Sequence, residues 1–154
     1  MGKSLETSKG SVWALWLTAH AVLVEEIEAR LAAAGLPPLA WYDVLWALER
    51  TGERRLRMRE LADLTVITRS NLTRLIDRLE AAGLVERERA EDDRRGAFAV
   101  LTTQGRTMRR KMWPVYAAAI KELFEDRIGE REAAQMGDSL RRILDAARGA
   151  GRDA

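Results

Sequence analysis

One segment of the chain combines short polar and arginine side chains at a spacing that suits contact with nucleic acid. Between residues 68 and 82, apolar residues recur at intervals of three and four, which is typical of one buried helix face. They are Leu72, Leu75, Ile76 and Leu79. The opposite face carries Ser70, Thr73, Arg74, Asp77 and Arg78. An arginine can donate two hydrogen bonds to a guanine edge, and hydroxyls can contact bases or phosphates. An ordinary amphipathic surface helix has the same pattern, so the helix alone leaves both interpretations open.

A polar turn between two short apolar segments supplies further candidate contacts. Residues Leu84–Arg89 and Ala97–Leu101 are predicted to form a β-hairpin (the wing), joined by residues 90–96. At its turn, Arg95 can enter a narrow minor groove, and Asp93 can orient that arginine through a charge-assisted pair. A solvated turn with compensating charges is the alternative. The candidate DNA contacts from both segments are Thr68, Arg69, Ser70, Asn71, Thr73, Arg74, Arg78, Asp93, Arg94 and Arg95.

Hydrophobic periodicity places these two segments within a mainly helical chain. The predicted helices span Val12–Ala34, Ala40–Arg50, Arg57–Leu64, Thr68–Ala82, Gln104–Arg127 and Glu130–Ala147. Thr68 is the predicted N-cap of the fourth helix, and Gly83 is its predicted C-terminal glycine. Leu61, Ala62 and Leu64 supply a buried side to the third helix. Two short helices joined by a tight turn, followed by a hairpin, have the order of a winged helix-turn-helix.

The composition excludes several kinds of site. The 154 residues contain no cysteine, which excludes disulfides, thiolate metal sites and a cysteine redox switch. Because His20 is the one histidine, we predict no metal site and no cofactor. The net charge is only +2, but residues 94–111 hold six basic and no acidic side chains, a patch able to neutralise phosphates. The apolar run at residues 12–24 is shorter than the roughly 20 residues of a membrane span, so we expect a cytoplasmic protein.

An enzyme and a helical interaction module are the competing function classes. An enzyme is not expected, because the chain has no glycine-rich phosphate loop, no nucleophile motif and no paired carboxylates beside a histidine. An interaction module would account for the long terminal helices but not for the hairpin. The combination therefore favours duplex DNA as the partner.

Several short strings carry a family resemblance. They are Leu61-Ala62, Thr68-Arg69-Ser70, Leu79-Glu80, Gly83-Leu84-Val85, Asp93-Arg94-Arg95-Gly96, Leu101-Thr102 and Gly105. Together they resemble the helix-turn-helix and wing of the MarR family of bacterial transcription regulators, over about residues 12–147. The resemblance implies a helical homodimer that binds a pseudo-palindromic operator, usually as a repressor, and is released by a small aromatic or phenolic effector. A dimer that binds DNA constitutively, or that activates, without an effector is the alternative.

The resemblance also implies how the chain, a single domain over residues 1–154, is divided. Residues 12–34 and 104–147 would form a helical dimerisation region. Residues 40–102 would form the DNA-binding lobe, and residues 148–154 would be a flexible tail. The first and last helices of two copies would interleave across a two-fold axis.

Aromatic residues concentrate where the resemblance places an effector pocket. Aromatic walls suit a flat apolar ligand, and His20 or Asp43 could supply a polar anchor. Packing in the core and dimer interface is the alternative, and for a single tryptophan it is the more frequent one. The urate-responsive branch of the family matches at Asp43 and Arg87, but it has an arginine where this chain has Leu75. The candidate pocket residues are Trp13, Trp16, His20, Trp41, Tyr42, Asp43, Trp46 and Trp113, with Tyr116 close to the last.

Overall fold

The computed structural model describes residues 8–65, 67–91 and 96–150, and within these ranges the chain is mainly helical. The predicted fold class, mainly α with a small β-hairpin wing, is confirmed. The chain divides into two compact units, residues 1–117 and residues 118–154. In chain order the elements are α1 (Ser8–Ala33), α2 (Leu39–Glu49), β1 (Arg55–Arg57), α3 (Met58–Leu64), α4 (Arg69–Ala81), β2 (Val85–Arg89), β3 (Ala97–Leu101), α5 (Thr103–Leu123), a 3₁₀ helix (Glu125–Arg127) and α6 (Glu130–Ala150).

A three-stranded antiparallel sheet includes the wing, which is the β2–β3 hairpin. The strand order is β1-β3-β2, with Phe98 of β3 opposite Arg57 of β1 and Glu88 of β2. The sequence predicted the β2–β3 hairpin and a brief extended piece at Arg55-Leu56, but it did not predict that this piece pairs with β3. A strand of three residues has no periodicity of its own, and β1 is defined by its pairing with a strand far along the chain.

The hydrophobic core of the first unit forms between α2, α3, α4 and the sheet. The inner face of α4 contributes the four predicted apolar residues, each at most 7% exposed. Full burial of such side chains contributes about 1.5–3 kcal/mol each. Leu61 is fully buried and Ala62 packs against the core, but Leu64 is 48% exposed. The prediction that Leu64 is buried is wrong, because α3 ends there and its last side chain lies beyond the edge of the core.

One cap and two glycines connect the wing to α5. The Thr102 hydroxyl donates to the Gly83 carbonyl at 2.7 Å and accepts from the Gly105 amide at 3.0 Å, so it caps α5 and links it to the end of α4. Gly83 has a φ of 75°, the left-handed conformation predicted for the residue that follows a helix. A Cβ on Gly105 would overlap the Leu84 carbonyl oxygen, so α5 approaches the backbone here more closely than a side chain permits.

Several helix boundaries differ from the predicted ones. Helix α1 begins at Ser8 rather than Val12, because its polar first turn carries no apolar periodicity. Helix α5 continues through Pro114, since a proline removes one hydrogen bond while the flanking turns maintain the helix, and it ends at Leu123 rather than Arg127. Helix α6 extends to Ala150, which lies within the predicted tail, and residues 151–154 lie outside the described residues.

Candidate functional site

The outer face of α4 presents a continuous polar surface. Thr68 is the N-cap of this helix, and its hydroxyl oxygen accepts from the Asn71 amide at 3.4 Å. The Thr73 hydroxyl donates to the Arg69 carbonyl at 3.2 Å, which leaves its oxygen as an acceptor for a partner. Ser70, Arg74 and Arg78 follow at four-residue intervals, so they form one row along the helix. All the predicted contacts of this segment are exposed: Thr68, Arg69, Ser70, Asn71, Thr73, Arg74 and Arg78.

An arginine of the wing is bound to α4 through four hydrogen bonds, which the sequence did not predict. Arg87 Nη2 donates to Asp77 Oδ1 at 2.6 Å, and Nη1 donates to Glu80 Oε1 at 3.1 Å. Nη2 also donates to the Thr73 carbonyl at 3.4 Å, and the Arg87 backbone amide donates to Glu80 Oε2 at 3.0 Å. We name these four residues the Arg87 clamp. In the urate-responsive branch, the arginine and aspartate that correspond to Arg87 and Asp43 serve the ligand. In this chain the side chain of Arg87 instead binds α4 and joins it to β2.

The tip of the wing, with Asp93, Arg94 and Arg95, lies outside the described residues, so the contacts expected there stay predictions. On the sheet below, an open groove of about 710 Å³ is lined by Arg55, Arg57, Glu88, Arg89, Glu91 and Phe98. The Arg55 guanidinium lies 3.9 Å from the centre of the Phe98 ring and 3.3 Å from the Glu88 carboxylate. The groove was not predicted, because its walls depend on the pairing of β1 with β3.

Three aromatic side chains from α2 and α5 form a contiguous cluster, which we name the aromatic cluster. Tyr42 stacks on Trp113 with ring centres 5.9 Å apart and meets Tyr116 edge-on at 5.0 Å. Tyr42 is 5% exposed and Trp113 is 44% exposed, so the cluster runs from the interior to the surface. Burial raises the pKa of both tyrosine hydroxyls. Both are therefore neutral at physiological pH and can donate or accept a hydrogen bond.

Asp43 lies beside this cluster, since its charge contributes to the raised pKa of Tyr116. Burial, followed by the charge of Glu28, raises the pKa of Asp43 itself. Glu28 is held at the N-terminal end of α2, because its carboxylate accepts a hydrogen bond from the Leu39 amide at 2.9 Å. The folded protein therefore disfavours the charged form of Asp43, which makes the carboxyl group a candidate anchor for a hydrogen-bonding or cationic group.

The remaining predicted pocket residues have other neighbours. Trp46 is 43% exposed and lies under the Arg109 guanidinium, 5.2 Å from ring centre to guanidinium carbon. Trp41 packs against the core of the first unit. Trp13 and Trp16 contact each other on α1 with ring centres 5.5 Å apart, and both are exposed, as is His20.

Comparison with known proteins decides the family. A MarR family model matches residues 34–96, which include α2, the helix-turn-helix and β2. The structure is similar to that of AbsC, a MarR family transcriptional regulator from Streptomyces coelicolor, with a TM-score of 0.85 and 33% identity over 93% of this chain and 97% of that chain. The chain belongs to the MarR family.

Two further proteins similar to this MarR-family chain are also named as transcriptional regulators. Sco3205, a MarR family regulator from Streptomyces coelicolor solved in complex with DNA, has a TM-score of 0.85 and 32% identity, over 91% of this chain and 89% of that chain. The HTH-type transcriptional regulator SarZ from Staphylococcus aureus is 31% identical over 103 residues. That match covers 67% of this chain and 66% of the length of SarZ.

As a MarR-family member, the chain is a DNA-binding transcription regulator rather than an enzyme. In the part of the chain that the structure describes, no group of three or more His, Asp and Glu side chains is arranged to hold a metal ion. None of the described helices has the length and apolar character needed to cross a membrane.

Proposed function

We propose that this MarR-family chain is a homodimeric repressor that binds a pseudo-palindromic operator and is released by a small aromatic ligand. The observation that carries the DNA-binding part is the exposed row of Ser70, Arg74 and Arg78 on α4. The inner face of the same helix is anchored by Leu72 and Ile76, which are at most 1% exposed. A helix held in this way presents its polar row in a fixed direction, which base recognition requires.

In the proposed complex, α4 lies in the major groove as the recognition helix, and the wing contacts the adjacent minor groove. Arg74 donates to a base edge, while the hydroxyl, amide and guanidinium groups around it bind phosphates and neighbouring bases. At the wing, Arg95 enters the minor groove, Asp93 orients it and Arg94 binds phosphate. The proposed contacts on α4 are Thr68, Arg69, Ser70, Asn71, Thr73, Arg74 and Arg78.

A second copy of this chain is the proposed partner of two exposed apolar helix faces. Contiguous apolar surfaces of this kind are unusual on monomers and typical of interfaces. A two-fold dimer would cover them and would present two recognition helices to half-sites about one helical turn apart, which requires a pseudo-palindromic operator. The exposed residues on α1 are Val12, Trp13, Leu15, Trp16 and Leu17, and those on α6 are Met136, Ile143 and Leu144.

The proposed ligand site is the aromatic cluster together with Asp43. The exposed part of Trp113 gives a flat ligand a surface on which to stack, and two neutral tyrosine hydroxyls and Asp43 supply hydrogen bonds. A ligand can weaken DNA binding only if it binds more tightly to a dimer whose recognition helices are wrongly spaced for the operator.

Footprinting on the DNA upstream of the chain's own gene tests the DNA-binding part. We expect one protected site with two symmetric half-sites about one helical turn apart. Protection of an asymmetric, unrepeated sequence would contradict the dimer, and failure to bind any upstream DNA would contradict the regulator itself.

A panel of phenolic and aromatic acids tests the ligand part. At least one acid should quench tryptophan fluorescence and also release the protein from its operator in a gel shift. If no acid does either, the chain is a constitutive or activating regulator without such an effector.

A further inference from the structure

Arg87 connects the two elements that the proposed function assigns to DNA. It lies on β2, opposite Ala99 of β3, and its side chain reaches across to α4. Its hydrogen bonds end on Thr73, Asp77 and Glu80. These three residues are spaced by four and three positions, so they form one ridge of the recognition helix.

The ridge held by Arg87 lies next to the row proposed to read the operator. Thr73 and Asp77 immediately precede Arg74 and Arg78 in the chain, which places the two rows about 100° apart around the helix. Any change in the angle between the wing and α4 therefore moves the reading row relative to the wing.

Glu80 is held through both of its carboxylate oxygens by a single residue of the wing. Oε1 accepts from the Arg87 guanidinium and Oε2 accepts from the Arg87 backbone amide. Two contacts to one planar carboxylate restrain its orientation as well as its distance. The ion pair with Asp77 at 2.6 Å adds a third fixed point one turn earlier on α4.

We propose that Arg87 is a positioning residue that sets the angle between the recognition helix and the wing, so that both fit one operator half-site. This inference rests on the proposed function, in which α4 and the wing contact DNA together. The competing explanation is charge neutralisation, in which Arg87 only prevents Asp77 and Glu80 from repelling nearby phosphates. The geometry favours positioning, because the backbone amide of Arg87 carries no net charge and still binds Glu80.

Two sets of substitutions separate these explanations. Arg87→Lys keeps the positive charge but cannot form the planar fork that binds two acceptors. The triple variant Arg87→Met, Asp77→Asn, Glu80→Ala removes the two carboxylate charges, the guanidinium and the acceptor of the backbone amide at position 87. Arg131→Ala is the control, because Arg131 is exposed and lies on α6, outside the winged helix-turn-helix. Exposed ion pairs contribute little to stability, so these variants should fold.

The measurement is the affinity of each variant for the footprinted operator and for a non-specific duplex of equal length. Positioning predicts that Arg87→Lys and the triple variant each lose about tenfold in operator affinity, equivalent to one charge-assisted hydrogen bond. Non-specific affinity should change little, because it does not require helix and wing to fit one site together. Recovery of operator affinity in the triple variant, equal losses on both duplexes, or no loss at all would overturn the proposal.

Hydrogen exchange on the DNA-free protein provides a readout that does not depend on DNA binding. In the triple variant, the backbone amide at position 87 and its neighbours in the wing should exchange faster than in the wild type. Arg131→Ala should match the wild type. If the amides of the wing exchange at the wild-type rate in the triple variant, the claim that Arg87 holds the wing to α4 is refuted, whether or not the protein binds DNA. A wild-type protein that binds no DNA would refute the proposed function, and the exchange result would still decide whether Arg87 holds the wing to α4.

Discussion

Replacement of Gly105 by alanine is expected to destabilise the first unit, because this glycine lies where α5 meets the start of the wing. The added Cβ would overlap the Leu84 carbonyl oxygen and would lie 3.0 Å from its carbonyl carbon and 2.7 Å from Leu101 Cδ1. A backbone carbonyl cannot rotate away as a flexible side chain can. Either α5 or the wing must therefore shift.

The size of the effect follows from three contributions. Forcing an extra methyl group into a packed site costs about 1–3 kcal/mol. If α5 shifts, the bond from the Thr102 hydroxyl to the Gly83 carbonyl, 2.7 Å in the wild type, is lost at a cost of about 1 kcal/mol. The higher helix propensity of alanine offsets about 1 kcal/mol. The free energy of unfolding should therefore fall by about 1–3 kcal/mol.

The assay is urea denaturation followed by circular dichroism and tryptophan fluorescence. All variants are compared at one protein concentration, because the stability of the proposed dimer would depend on concentration. Gly52→Ala is the matched control, since a Cβ at Gly52 would have no heavy atom within 4 Å. That variant should be unchanged or slightly stabilised. Equal unfolding midpoints for the two variants would refute the argument about close approach.

Three further predictions concern the charge of Asp43, the wing and the proposed dimer. Asp43→Asn should increase stability at neutral pH, because the raised pKa of Asp43 shows that the fold disfavours its charged form. This gain in stability should be complete above the pKa of Asp43 in the folded protein and should vanish below the ordinary aspartate pKa. A gain in melting temperature that does not depend on pH would contradict this prediction. Arg95→Ala should weaken binding to all operator variants alike and reduce the salt dependence by about one phosphate-equivalent per wing, and an unchanged salt slope would argue against a DNA-reading wing. Leu15→Glu, at a position 67% exposed in the single chain, should dissociate the dimer in sedimentation experiments, and a dimer of undiminished stability would exclude this face from the interface.

Local signals allowed helix α4 to be predicted closely from the sequence. Thr68 caps the start of this helix with its hydroxyl oxygen, and Gly83 follows the end of the helix in the left-handed conformation. Both residues act as predicted. The apolar period also identified its buried face, because burial of one face follows from spacing within a single helix. Such features depend on neighbours in the chain and can be read without a structure.

Features that depend on distant residues could not be predicted. The periodicity of α4 placed Asp77 among the DNA-facing residues, but helical spacing does not show that Arg87 on a neighbouring strand binds it. Similarly, the sequence grouped the tryptophans as one pocket, whereas Trp41 packs against the core and Trp113 joins Tyr42. Aromatic content identifies residues that pack, but the arrangement of helices decides which of them meet.

The central claim is that the exposed row of α4 reads the operator, and one titration tests it most directly. Wild type, Arg74→Ala and Arg131→Ala should be compared on the operator and on its single-base variants. Arg131 is exposed on α6 and lies about 120–140° around that helix from Met136, Ile143 and Leu144. Its replacement therefore removes one positive charge outside the winged helix-turn-helix and away from the proposed dimer face. Arg74→Ala should cost about 1–3 kcal/mol per half-site and lose the preference at one base position, while Arg131→Ala should match the wild type. Equal affinity and equal base preference for the two variants would contradict the claim.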